Sequence, residues 1–134
     1  MFLEKLSEKE KDIFIELAVC ISQADGILSN EEKKLFEDYG REMSKTLDID
    51  FSKERDIDAI LSECSGISVY NQKIIFFEIL GLALCDELDE TEEILIKKIV
   101  DAFHITEKDF DFMKGKRAPA KALIMHKLAK KTLQ

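Results

Sequence analysis

Carboxylates gather in two short stretches of this chain, where they can either hold a hard cation or cap a helix. The first stretch is Gln23-Ala24-Asp25-Gly26-Ile27-Leu28-Ser29-Asn30-Glu31-Glu32. A worn copy, Ala83-Leu84-Cys85-Asp86-Glu87-Leu88-Asp89-Glu90-Thr91-Glu92, follows sixty residues later and runs on into Glu93. Asp25, Glu31 and Glu32 offer the oxygen ligands that calcium and magnesium prefer, and Asp86, Asp89, Glu92 and Glu93 form the corresponding group. The same residues can satisfy backbone N–H groups instead: Ser29 with Glu32 reads as an S-x-x-E capping box, and Asp89 with Glu92 repeats its logic. Calcium or magnesium is therefore a candidate ligand, with pure capping as the competing reading. An EF-hand is excluded, because a loop starting at Asp25 puts Ile27 and Phe36 at ligand positions and one starting at Asp86 puts Leu88 there.

Other chemistry-bearing residues are isolated. Glu78 interrupts the apolar run Ile74 to Cys85 on a face shared with Gly81, Leu82 and Cys85. Because unpaired acids are seldom buried, it is expected where the helix reaches solvent or beside a lysine; buried, it needs a cation or a raised pKa. His104 and His126 have no zinc-ligand spacing. Cys20, Cys64 and Cys85 lie in or beside apolar helical segments without C-x-x-C spacing, and are read as reduced, buried thiols. No nucleophile elbow or phosphate-binding glycine loop is present. The expectation is that the protein is not an enzyme.

The elements that position these residues are helical. Ile13, Phe14, Leu17, Ala18 and Ile21 recur at helical spacing after the Ser7/Glu10 capping box, predicting a helix over 8–23. Gly26 permits the left-handed backbone that ends it. A second helix follows Ser29 with Leu35, Phe36, Tyr39 and Met43 inward, and 44–51 is a connection. Ser52 is predicted to cap a third helix carrying Ile57, Ile60 and Leu61 and stopping near Ser65-Gly66; Ser68 caps a fourth, apolar nearly all round, which belongs at the centre of a bundle. Asp89 opens a fifth, Thr106 with Asp109 a short sixth bearing Phe110 and Met113, and Pro119 a seventh with Ala120, Leu123, Ile124 and Leu128 on one face. At a sixty-residue offset Ile15/Ile75, Leu17/Phe77, Val19/Ile79, Leu28/Leu88 and Leu35/Leu95 coincide. The fold class is thus all-α: a compact bundle of about seven helices containing two pseudo-symmetric helical hairpins.

A chain of 134 residues, 46% hydrophobic and with one proline, is expected to form one domain over 1–134, with 114–134 a basic C-terminal helix. Lys114, Lys116, Arg117, Lys121, Lys127, Lys130 and Lys131 bring no acid with them, so the remaining body carries −15. Such a body repels phosphate backbones, which argues against nucleic acid as partner. The basic segment could touch a membrane surface, but docking of its apolar stripe on the bundle is the favoured expectation. The longest apolar stretch is too short to cross a bilayer, and Glu4, Glu8 and Glu10 fall where a signal peptide is apolar; the expected location is cytoplasmic.

The pattern A-D-G-x-L-S-x-x-E at Ala24 to Glu32, echoed by Leu88-Asp89-Glu90-Thr91-Glu92-Glu93 within a paired helical repeat, resembles the tellurite-resistance TerB family over about residues 10 to 105. That resemblance implies a compact all-helical domain with pseudo-twofold halves. It also implies a bacterial stress-associated role exerted through protein contacts, with metal binding near the acidic turns and no established catalysis. In the family the second turn often also reads D-G; here Cys85 and Asp86 stand there, so two identical sites are not implied. The leading expectation is a non-enzymatic TerB-like module that binds a partner protein through its acidic turns, with a divalent cation as candidate ligand. The rivals are a small metal-dependent enzyme using Glu78 or the turn carboxylates, and an acidic immunity or inhibitor protein.

Overall fold

Apolar residues on every side of the Val69–Leu84 segment force a helix there to be covered from several directions. The computed structural model, which describes residues 2–24, 26, 28–85 and 88–117, does this with helices alone. A short 3₁₀ turn at Leu3–Lys5 precedes α1 (Glu8–Gln23), α2 (Asn30–Met43), α3 (Ile57–Ser62), α4 (Val69–Leu84), α5 (Glu90–Phe103) and α6 (Glu107–Arg117). Among the described residues there is no strand, and no helix is long and apolar enough to cross a membrane. The seventh helix expected from Pro119 onward lies outside the described residues.

Helix α4 packs against α1, α5 and α6; α1 also meets α3 and α5, and the N-terminal 3₁₀ turn lies against α2. Ile75, Phe76 and Ile79 of α4 are fully buried, as are Phe14, Leu17 and Ile21 of α1. Polar N-termini start these helices as their sequences require. Ser7 and Ser29 each accept the N3 backbone N–H while Glu10 and Glu32 return the bond to the cap residue, and Ser68, Asp89 and Thr106 cap α4, α5 and α6.

Four expectations are corrected. Helix α3 starts after Asp56, whose side chain accepts the Asp58 N–H at 3.0 Å, and ends at Ser62. Ser52 is drawn instead to Asp50, donating both its N–H (3.0 Å) and its hydroxyl (2.5 Å) to that carboxylate. Of the two places expected for Glu78, solvent is ruled out: it is buried, because α4 is enclosed along that stretch, and it has an interaction of its own. The sixty-residue register describes only α2 and α5. Ser7 and Ser68, which cap α1 and α4, are sixty-one apart, whereas Ser29 and Asp89, which cap α2 and α5, are sixty apart. The second inter-helix turn is one residue shorter. In the sixty-one register the burial of α1 and α4 agrees position by position from Leu17/Glu78 to Ser22/Ala83, so Glu78 occupies the place of an apolar side chain.

The Leu3–Lys5 turn was not anticipated. It is anchored by Leu3, fully buried, whose N–H donates to Glu42 Oε1 at 3.1 Å. Burial also sets the cost of change. Phe76→Ala on α4 is expected to lower unfolding stability by about 3–5 kcal/mol, whereas Phe112→Ala, at a ring 65% exposed on α6, should stay within about 0.5 kcal/mol. Urea unfolding of the two variants beside the parent chain checks both values.

Candidate functional site

The end of α1, the first turn and the start of α2 are shaped by a few local requirements. Gly26 takes φ +78, a backbone that L side chains rarely adopt, and its N–H donates to Gln23 O at 3.0 Å. Three residues on, Ser29 opens α2. Its hydroxyl accepts the Glu32 N–H at 3.1 Å, and Glu32 Oε1 accepts the Ser29 N–H at 3.0 Å. Glu32 is buried and Glu31 exposed. In the second turn Asp89 accepts the Glu92 N–H at 2.8 Å, Glu92 is buried and Glu93 is exposed.

These placements decide what the carboxylates of the turns can do. Glu32 and Asp89 are engaged with backbone donors, so the capping role is realised at both helix starts. Among the described residues no three His, Cys, Asp or Glu side chains come together in a group able to hold a metal ion. Asp25 and Asp86, the remaining members of the expected ligand set, lie outside the described residues. The described carboxylates alone therefore do not fit calcium or magnesium, which needs six to eight converging oxygens or an octahedral shell.

Beside the first turn lies a cleft of about 520 Å³ between the end of α1, the 51–58 segment and α5. Two side chains that spacing had not singled out build it. Gln23 Nε2 donates to Phe51 O at 2.7 Å and to Lys53 O at 2.8 Å, which ties the connection to the end of α1. Arg55, its side chain only 7% exposed, pairs with Glu16 (Nε to Oε2, 2.8 Å) and donates from Nη1 to Asp50 O and Lys53 O. The planar guanidinium suits this task because its fork of donors serves a carboxylate and two carbonyls at once. The available signal was an arginine in a polar connection where lysine predominates elsewhere; nothing in the local pattern tells which acid it meets.

Among the described residues lining the cleft, Lys98 is matched by Asp58 (3.2 Å) and Arg55 by Glu16, so both cations have acidic partners. The Ser22 hydroxyl is buried and has no hydrogen-bond partner among the described residues. Burial raises the pKa of the Cys20 thiol, the nearby Arg55 charge opposing and Asp56 reinforcing the shift. At the base of α3, burial pushes the Cys64 thiol up to about 11, with the Glu63 charge adding to it. Neither thiol is the thiolate that nucleophilic chemistry needs at neutral pH.

Comparison with family models, with curated proteins and with solved structures gives no match. The site is therefore read from its own residues.

Cys64 makes a pH-dependent prediction. Its thiol ionises near the ordinary 9.0 in the unfolded chain but at about 11 when folded, so between those values the unfolded chain releases a proton that the folded chain keeps. Its contribution to stability is complete below pH 9 and is lost as pH rises toward 11. Urea midpoints should therefore fall less steeply across that window in Cys64→Ala than in the parent chain.

Proposed function

We propose that the protein is a non-enzymatic, TerB-like module that binds a partner protein through the acidic face of its two inter-helix turns. The pairing of α1–α2 with α4–α5 as two matched hairpins belongs to this proposal, as does the stress-associated role, which rests on the resemblance alone. Several features support the pairing. Beyond the equivalent caps, α2 and α5 both end on a left-handed residue with φ 54, Ser44 and His104, sixty apart. Their buried residues also coincide: Glu32/Glu92, Phe36/Ile96, Tyr39/Ile99 and Met43/Phe103.

The observation that carries the binding reading is the clamp formed by Gln23 and Arg55 beside the first turn. Two hydrogen bonds from Gln23 and the Arg55–Glu16 ion pair hold the connection to α1, and two more from Arg55 to Asp50 O and Lys53 O brace the connection itself, leaving Glu31, Glu54 and Asp58 exposed. A surface already ordered before association loses less freedom on binding. Its acidic character, on a body of −15, favours a partner presenting Lys and Arg. Capping takes up Glu32 and Asp89, Lys98 takes up Asp58, and the exposed Glu31 and Glu54 remain to meet that partner.

Charge reversal tests this reading. Used as bait in an extract of the cells that make it, the parent chain should retain a defined basic protein, and Glu31→Lys with Glu90→Lys should release it while the chain stays folded, since both residues are exposed. Equal retention by the double variant would take the turns out of the interface. The cation reading has its own arm: millimolar calcium or magnesium raises the melting temperature if the native state binds it, and Asp25→Asn then removes that rise. No shift with either ion leaves the turns as caps alone.

A further inference from the structure

The equivalent outer faces of α2 and α5 are treated differently by the chain. On α2, Leu28, Phe36 and Gly40 floor a groove; on α5, Leu88, Ile96 and Val100, each sixty residues further on, floor its counterpart. The chain itself supplies one wall of the first groove, which stays open at about 820 Å³. After the left-handed Ser44 the connection runs back over α2, bringing Leu47, Ile49 and Phe51 against the core. The Phe51 ring meets Phe36 edge-on at 5.4 Å. Gly40 permits the close approach: a Cβ there would lie 3.0 Å from Lys45 O and 3.5 Å from Leu47 Cγ.

In the second half the chain leaves this path. After His104, Thr106 starts α6, which packs on α4, and the half-buried Val100 side chain stands where Gly40 gave access. A groove of about 490 Å³ is left between α5 and α6, with Phe110 along its wall. The rim charges are inverted relative to the first half: Lys33, Glu37 and Arg41 on α2 become Glu93, Lys97 and Asp101 on α5. The first rim, net basic, is crossed by an acidic apolar stretch, Leu47-Asp48-Ile49-Asp50-Phe51. The charged residues lining the second groove, Glu93, Lys97, Glu107 and Lys114, balance, so its apolar lining calls for an apolar stripe, with Glu93 and Glu107 available to lysines beside it.

One stretch of the chain outside the described residues has that composition. Residues 118–134 combine Leu123, Ile124 and Leu128 with Lys121, Lys127, Lys130 and Lys131, and contain no acid. They follow directly on α6, whose Lys114 already lines the groove, so the tether keeps their local concentration high. We propose that the α5–α6 groove is the docking site for this chain's own residues 118–134, their apolar stripe covering Val100 and Phe110 as Leu47, Ile49 and Phe51 cover α2. The inference does not rest on the partner reading; the groove shares Leu88 and Glu93 with the second turn, whereas Glu31 and Glu90, which test the partner reading, lie outside it.

The test uses the full-length chain. Hydrogen exchange measured residue by residue should show amides between Leu123 and Leu128 exchanging at least tenfold more slowly than the unstructured rate. A double-mutant cycle adds a second readout: Val100→Ser and Leu123→Ser should each lower the melting temperature by about 3–6 °C, and together by clearly less than the sum of the two, because each removes the same contact. Exchange at the unstructured rate, or additive losses, overturns the proposal. So does protection that disappears on dilution as sedimentation shows a dimer dissociating, which would assign the groove to a second copy, or protection that arises only with anionic vesicles.

Discussion

Helix α4 has no polar side to turn toward water along most of its length, and this constraint organises what surrounds it. Water must be kept from Ile74 through Ala83, so α1, α5 and α6 lie against it and the connections between them are pushed to the rim of the bundle. Helix α1, nearly as apolar at its C-terminal end, contributes Phe14, Leu17 and Ile21 to the same core. The acidic turns are the rim segments that reverse the chain from α1 into α2 and from α4 into α5. Their carboxylates lie there because two helices must start at the surface, and helix starts attract acids to unpaired N–H groups.

The buried carboxylates show how far one residue type can serve different ends. Glu32 completes a capping box while its stem is enclosed, and Glu92 stands in the equivalent place behind Asp89. Glu78 is different in kind, because it caps no helix start and lies buried in the middle of an apolar helix, where a leucine would be the ordinary choice. Substituting a carboxylate for a leucine in a core is costly unless the charge is compensated, and Glu78 does have an interaction of its own. After the left-handed Ser44 the chain runs back over α2 past Gly40, whereas after the left-handed His104 it enters α6.

Much of the framework was legible from side-chain type and spacing. Ser7, Ser29, Ser68, Asp89 and Thr106 each cap the helix expected of them, because capping is decided within four residues. Features decided by distant neighbours were not legible. The course of 50–56 is set by Gln23 and Glu16 of α1, which hold Phe51 O, Lys53 O and Arg55, and with the segment so held Ser52 bonds Asp50 and Asp56 takes the start of α3. The burial of Glu78 depends on helices that come from elsewhere in the chain. The one-residue change of register is hidden in the sequence because Ile15/Ile75 and Val19/Ile79 pair apolar residues equally well at the wrong offset. At the candidate site the acidic turns were visible, but Gln23 and Arg55, which shape the cleft beside them, act through main-chain carbonyls that no side-chain pattern encodes.

The claim on which the rest stands is that α4 is the enclosed centre of the fold. Residue-resolved native-state hydrogen exchange tests it directly. Amides from Ile75 to Ala83 should exchange only through global unfolding, with an opening free energy equal to that from urea unfolding, while amides of α2 open more readily. Exchange of the α4 amides through openings smaller than those of α2 would contradict the account.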